Sequence, residues 1–294
     1  RMLKNFPQIF AGKTNVDAKS TVVIRCILSM ENALQEMTKM NPQLNITHDA
    51  SYHDMYYMNP PAKDLSKIAS SDKVKKVQKD FEATHVRPQR LMKTLFTDEA
   101  YVKANVDEAR LMRRLFDLAC NMQSHDTDMQ LYSLFTDEEC YDLWSCNNLY
   151  WYLTHACSPV TDGLMPYREA DLLRNILDRA DAALKEGKNQ ATLRFGHESC
   201  LLPLVALLEL NHYGESYPDV EKLSEQWRAY DIFPMASNVQ FVFFHKKGSN
   251  DVLVKVLLNE KEAKLPVKTD VAPYYHWKDV ESYYREKLDK YQHI

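Results

Sequence analysis

Six glycines in 294 residues, no two of them nearer than nine positions, constrain this chain more than any other feature. Glycine usually makes up roughly 7% of a protein, and folds that cradle phosphates on glycine-rich loops need several within a few residues. Rossmann and P-loop fingerprints are therefore excluded, and long helices with few glycine-built turns are expected. Hydrophobic residues at 45% and charged residues at 27% suit a chain that buries a real core, neither disordered nor membrane-embedded. The longest apolar run, Cys200 to Leu210, contains Pro203 and Glu209 and falls well short of the ~20 residues of a membrane span. With Lys+Arg 37 against Asp+Glu 41, the chain has no general cation field to hold nucleic acid, so any anion site must be local.

The periodicity divides the chain in three. Lys19-Ser-Thr-Val-Val-Ile-Arg25 is β-branched and reads as a strand ending on an arginine; Ile27, Met30, Leu34 and Met37 follow at helical spacing. From residue 50 to 187 the pattern is almost wholly helical. Leu95-Phe-Thr-Asp-Glu99 recurs as Leu134-Phe-Thr-Asp-Glu138, and each copy reads as a threonine-capped helix start, Thr136 with Glu139 forming a capping-box pattern. Leu172, Leu173, Ile176, Leu177, Ala180, Ala183 and Leu184 share one helical face, and Gly187 stands where a C′ glycine belongs. Beyond it, Ala191–Gly196 reads as a buried strand stopped at Gly196-His197, and Cys200–His212 as an apolar helix with Pro203 in its first turn. Two β-rich runs, 239–244 and 252–258, flank the polar Lys246–Asp251 segment as a hairpin, and residues 277–291 form a last amphipathic helix. The expected fold class is α/β, a mixed central sheet flanked by helices: residues 1–49 and 188–294 form the α/β part, and 50–187 a large α-helical insertion.

In α/β sheets, ligands collect beyond the carboxyl ends of strands, where helix N-termini present free N–H groups. Two expected strands end on residues suited to an anion, Arg25 and His197, 172 positions apart. An arginine fork and an imidazole there suit a phosphate monoester dianion, and Glu198 next door could protonate a leaving alkoxide.

At these residues a family resemblance becomes specific. Leu193-Arg-Phe-Gly-His-Glu-Ser-Cys-Leu-Leu-Pro-Leu204 resembles the C-terminal active-site motif of the histidine acid phosphatases, and its flanks resemble their multiple inositol polyphosphate phosphatase branch. Arg1–Pro7 resembles the helix before the family's second sheet strand, Thr21–Ser29 its arginine-bearing strand, and Pro234–Asn238, Val242–His245 and Leu257–Lys261 the branch's late hairpin. The resemblance implies a metal-independent phosphomonoesterase without a cofactor, acting through a phosphohistidine on a small phosphomonoester such as an inositol phosphate, in a periplasmic or secreted setting. It implies that Arg25 and His197 bind phosphate and that Glu198 donates the proton. Two departures stand out. No R-H-G-x-R-x-P nucleophile motif occurs in these residues, so a segment upstream of Arg1 is expected to hold it. The branch's usual His-Ala-Glu is here His197-Glu198-Ser199, which places the acid where the His-Asp phosphatases and phytases carry theirs. The alternatives are a broad-specificity acid phosphatase and a non-catalytic phosphate-ligand binding protein.

The other candidates have plainer readings. The His125-Asp126 pair, with Ser124 before it, reads as a solvated loop, and His48-Asp49 and His53-Asp54 as polar loop rather than metal ligands. His155 reads as a packed histidine. Lys73, Lys75, Lys76 and Lys79, and likewise Arg87, Arg90 and Lys93, read as solvated charge with a lesser claim on a polyanionic substrate. The six cysteines lack CxxC spacing; buried thiols are the plain reading, with a disulfide among Cys140, Cys146 and Cys157 the alternative.

Overall fold

The computed structural model describes residues 1–291. After a short helical turn at Met2–Asn5, strand β1 (Asn15–Ser20) leads into helix α1 (Ile24–Met40) and then β2 (Asn45–Asp49). β1 lies between β2 and β3 (Gln190–Phe195), parallel to both, so the order is β2-β1-β3. Val16 and Ala18 point to the α1 side and are buried with Met30, Leu34 and Met37, spaced along one face of α1.

Two boundaries differ from the sequence reading. The first strand is Asn15–Ser20 rather than 19–25: β3 stops at Phe195, so the ladder has no partner for Val22 or Val23, and Val23 already caps α1. Arg25 is consequently the second residue of a helix, not the last of a strand. β2 was not legible as a strand because it is an edge, exposed at four of its five positions; His48 and Asp49 lie on it, not in a loop.

Between β2 and β3 the regular elements are helical, as the periodicity predicts. The longer ones are α2 (Asp72–His85), α3 (Glu108–Asn121), α4 (Asp137–His155) and α5 (Ala170–Glu186). α4 starts with the expected capping box of Thr136 and Glu139, but the earlier copy of that motif is capped by Asp98, not Thr97. α5 ends on Gly187 in a left-handed conformation, φ 63°, where a side chain would be strained. Its Leu173 and Leu177 are fully buried, each contributing about 1.5–3 kcal/mol. They share one core with Leu149 and Leu153 of α4, Val74 and Phe81 of α2, and the later strands.

Helix α6 (Glu198–Leu207) follows β3 and is buried nearly all round. It begins at Glu198, two residues before the reading from sequence, so Pro203 falls in its second turn and withholds one N–H from the ladder. β4 (Val239–His245) and β5 (Val252–Leu258) form the expected antiparallel hairpin, extended by two-residue strands at Lys261–Glu262 and Tyr275–His276. Helix α7 (Trp277–Tyr291) closes over this sheet and α5; the Tyr284 hydroxyl donates to Leu208 O at 2.7 Å and Trp277 Nε1 to Asp181 Oδ1 at 2.9 Å. The β-structure is thus divided between a parallel and an antiparallel sheet, with helices packed around both, an α/β architecture of the expected class. All six cysteines are free thiols, which removes the disulfide alternative, and no described helix is long and apolar enough to cross a membrane.

Candidate functional site

Because β1 and β3 are parallel and Ser20 pairs with Phe195, their carboxyl ends finish side by side. The segments leaving them, 21–25 and 196–198, meet there. The Thr21 N–H donates to Phe195 O at 3.0 Å, carrying the link one residue past the ladder. Arg25 Nη2 lies 3.0 Å from Nδ1 of His197, and Thr21 Oγ1 lies 3.1 Å from its Nε2. The imidazole is therefore gripped at both nitrogens. Cys26 adds a third contact: its thiol donates to Gly196 O at 3.2 Å, with Sγ 3.8 Å from Nδ1.

A guanidinium carries only donors, so the His197 nitrogen facing Arg25 must offer its lone pair, and the ring is neutral in this arrangement. Burial holds its pKa below the ordinary value of 6.5, the Arg25 charge lowers it further, and Glu198 opposes both. Glu198, exposed, is the first residue of α6, where a carboxylate is favoured by the helix dipole. Arg25 and Glu198 thus bracket His197 at the N-termini of α1 and α6, both open to solvent.

Behind these residues, the sheet face opposite α1 carries paired charges. Arg194 Nη2 donates to Asp17 Oδ2 at 2.9 Å across β1 and β3, and Lys19 Nζ donates to both oxygens of Asp54 at 2.9 Å. Asp54 is buried in the turn Tyr52–Asp54. Burial alone would raise its pKa, but the Lys19 hydrogen bond and charge carry it below the ordinary value. The loop reading of His53-Asp54 is thus corrected: Asp54 is a buried ion-pair partner. Tyr57 and Met58, just beyond, are buried too, and the Cys200 thiol of α6 donates to Met58 O at 3.5 Å. This turn braces the junction of β3 and α6.

Of the residues gathered here, the sequence reading singled out Arg25, His197 and Glu198, passed over Thr21, Cys26 and Lys19, and took Asp54 only for part of a polar loop. Cys26 and Thr21 flank the arginine closely enough to have been suspected; Asp54 carried no such signal. His125 and Asp126 are exposed beyond α3, as expected. His155 is buried, its pKa lowered to about 4 by burial and then by Arg168. Most of the basic residues singled out in the helical segment are engaged with acids: Lys75 with Asp72, Lys76 with Asp80, Arg87 with Glu138 and Asp142, Arg90 with Glu139 and Lys93 with Glu99, whereas Lys73 and Lys79 are exposed. No cluster of potential metal ligands occurs among the described residues.

The sequence profile of the histidine phosphatase superfamily, branch 2, matches residues 28–259. His197 and Glu198 fall within that span, whereas Thr21 and Arg25 precede it. Multiple inositol polyphosphate phosphatase 1 of Homo sapiens is 28% identical over 134 residues, which make up 41% of this chain and 27% of the human protein. The matched segment is thus about a quarter of that relative's length. The multiple inositol polyphosphate phosphatase of Bifidobacterium longum in complex with inositol hexasulfate superposes with a TM-score of 0.74 at 17% identity, covering 95% of this chain and 74% of that one. Its complex with phosphate gives 0.68 over 97% and 76%, again at 17% identity.

Proposed function

This chain belongs to the histidine phosphatase superfamily, branch 2, and on that premise we propose that Arg25 and His197 form the phosphoryl-binding part of a phosphomonoesterase whose substrates are inositol polyphosphates. The observation that carries the reading is the 3.0 Å approach of Arg25 Nη2 to His197 Nδ1 at the carboxyl edge of a parallel sheet. A guanidinium and an imidazole so close, beside the N-termini of two helices, suit a dianion, which would take the Arg25 donors and leave Nδ1 of His197 free to pick up a proton and donate in turn. The relatives bound to phosphate and to inositol hexasulfate support the ligand class.

The chemistry assigned is transfer of the phosphoryl group to a histidine of an R-H-G-x-R-x-P motif, which these 294 residues do not contain. The nucleophilic nitrogen bonds to phosphorus as the bond to the leaving alkoxide breaks, and Glu198 gives its proton to that oxygen. Water then releases phosphate from the phosphohistidine and returns the proton to Glu198. Arg25 and His197 hold the phosphoryl oxygens throughout; they orient, and the nucleophile must be supplied with its motif.

The test is calorimetric titration of the 294-residue protein with inorganic phosphate and with inositol hexasulfate. Each charged hydrogen bond is worth roughly 1.5–3 kcal/mol, so Arg25→Ala and His197→Ala should each weaken binding by on the order of 10–100-fold. Wild-type protein that binds neither anion, or variants that bind both unchanged, would overturn the reading.

A further inference from the structure

We infer that Thr21 is the positioning residue of this site: its hydroxyl fixes the His197 ring so that Nδ1, and not Nε2, is the nitrogen presented to the bound anion. The inference rests on the anion-site reading above and goes beyond it to the atom that makes the contact.

Arg25 can only donate, so the Nδ1 it approaches at 3.0 Å carries the lone pair, and the ring proton sits on Nε2. That Nε2–H points at Thr21 Oγ1, 3.1 Å away, and the hydroxyl oxygen accepts it. Thr21 is itself immobilised. It is wholly buried, its N–H donates to Phe195 O two residues before the histidine, and its methyl lies 4.0 Å from where a Cβ on Gly196 would stand. The ring is thereby referenced to β3 through a residue that leaves β1.

When an anion takes Arg25 away, the Nδ1 face becomes free. A ring protonated on both nitrogens keeps the Nε2–H to Thr21 bond and turns Nδ1–H to the anion, so one acceptor serves the empty and the occupied states. Without the hydroxyl, a partly buried N–H would lose its partner, and the ring would be driven to flip or to adopt the other tautomer.

The experiment compares wild-type protein with Thr21→Val, Thr21→Ala and Thr21→Ser, after thermal melts have established that each is folded. Nitrogen-15 NMR of the histidine ring should show wild type and Thr21→Ser protonated on Nε2. Valine and alanine variants should show a mixture or the Nδ1–H form. Inorganic phosphate should bind the two hydroxyl-less variants on the order of tenfold more weakly, with serine restoring affinity. A general packing role would weaken all three variants and leave the tautomer unmoved, and that result overturns the inference. So does a valine variant with wild-type tautomer and affinity. If wild type binds no phosphate, the anion-site reading fails, while the NMR comparison still decides whether Thr21 sets the tautomer. Should valine not fold, the alanine variant, which removes bulk rather than adding it, carries the comparison.

Discussion

Glu169 is the most exacting place to test the physical description of this fold. It ends the short helical turn Met165–Glu169 that packs on α6, is 2% exposed, and its Oε2 has no hydrogen-bond partner among the described residues. Burial pushes its carboxyl from the ordinary 4.5 up to about 8; the Cys200 thiol and the Arg168 charge oppose the shift, and Asp171 adds to it. Folded chains therefore hold a proton that unfolded chains release between pH 4.5 and 8. In that window the unfolded state binds fewer protons, so stability is full below about pH 4.5, falls as pH rises towards 8, and levels off above it. At 1.36 kcal/mol per pH unit, the upper limit of the loss is about 5 kcal/mol, a large part of a typical folding free energy. Glu169→Gln keeps a neutral side chain of the same shape and cannot ionise. Urea denaturation of both proteins at pH 4.5, 6 and 8.5 isolates the effect, because every other titrating group cancels in the difference. The variant should gain several kcal/mol on wild type between the lowest and highest pH. A difference that stays constant with pH would mean that the carboxyl is not held neutral, and the burial argument would fail.

Other outcomes follow from the same structure. In a protein that carries these residues together with the R-H-G-x-R-x-P motif, Glu198→Gln should slow hydrolysis of alkyl phosphates by ~10²–10⁴-fold. It should slow p-nitrophenyl phosphate much less, since that leaving group departs unaided; equal losses on both, measured by phosphate release, would remove the proton-donor role. His276 donates to Asp251 and Asp270 and is raised from 6.5 to about 9. Its contribution is full below pH 6.5 and lost as pH rises through about 9, so an NMR titration should find its midpoint far above that of a free histidine, and Asp270→Asn should bring it down.

Much of this fold was legible because its signals are local. The α5 face ending on Gly187, the hairpin around Lys246–Asp251 and the helix 277–291 each carry their period and their stop within a short window. What escaped were elements defined by partners rather than by pattern. β2 is a strand only because β1 lies beside it, and its sequence, Asn45-Ile-Thr-His-Asp49, has no apolar alternation to announce that. Thr21-Val-Val23 does have the β-branched signature, yet it leaves the sheet because β3 has already turned into α6. At the site, Arg25, His197 and Glu198 could be picked out as chemistry-bearing residues at element ends. Thr21 meets His197 across 176 positions and Asp54 meets Lys19 across 35, and neither pairing leaves a trace in spacing.

One structural variable controls whether these residues meet, and it is the register of β1 on β3. The pairing of Ser20 with Phe195 delivers residues 21 and 196 to the same level, from which Thr21, Arg25 and His197 reach one another. A slip of one residue would move one strand by about 3.3 Å and break both contacts to the imidazole, since neither hydrogen bond tolerates such a displacement. It would also turn Val16 and Ala18 away from α1 and bring Asp17 and Lys19 onto its apolar face. The register is therefore held from both sides of the sheet: by Val16 and Ala18 packed against Met30, Leu34 and Met37, and by the Asp17–Arg194 pair that joins β1 to β3 on the opposite face. The core that stabilises the sheet and the ion pair that pins it also set the geometry of the proposed anion site. Replacing Arg194 should consequently reach His197 through the strand, although nothing in the structure brings the two side chains into contact.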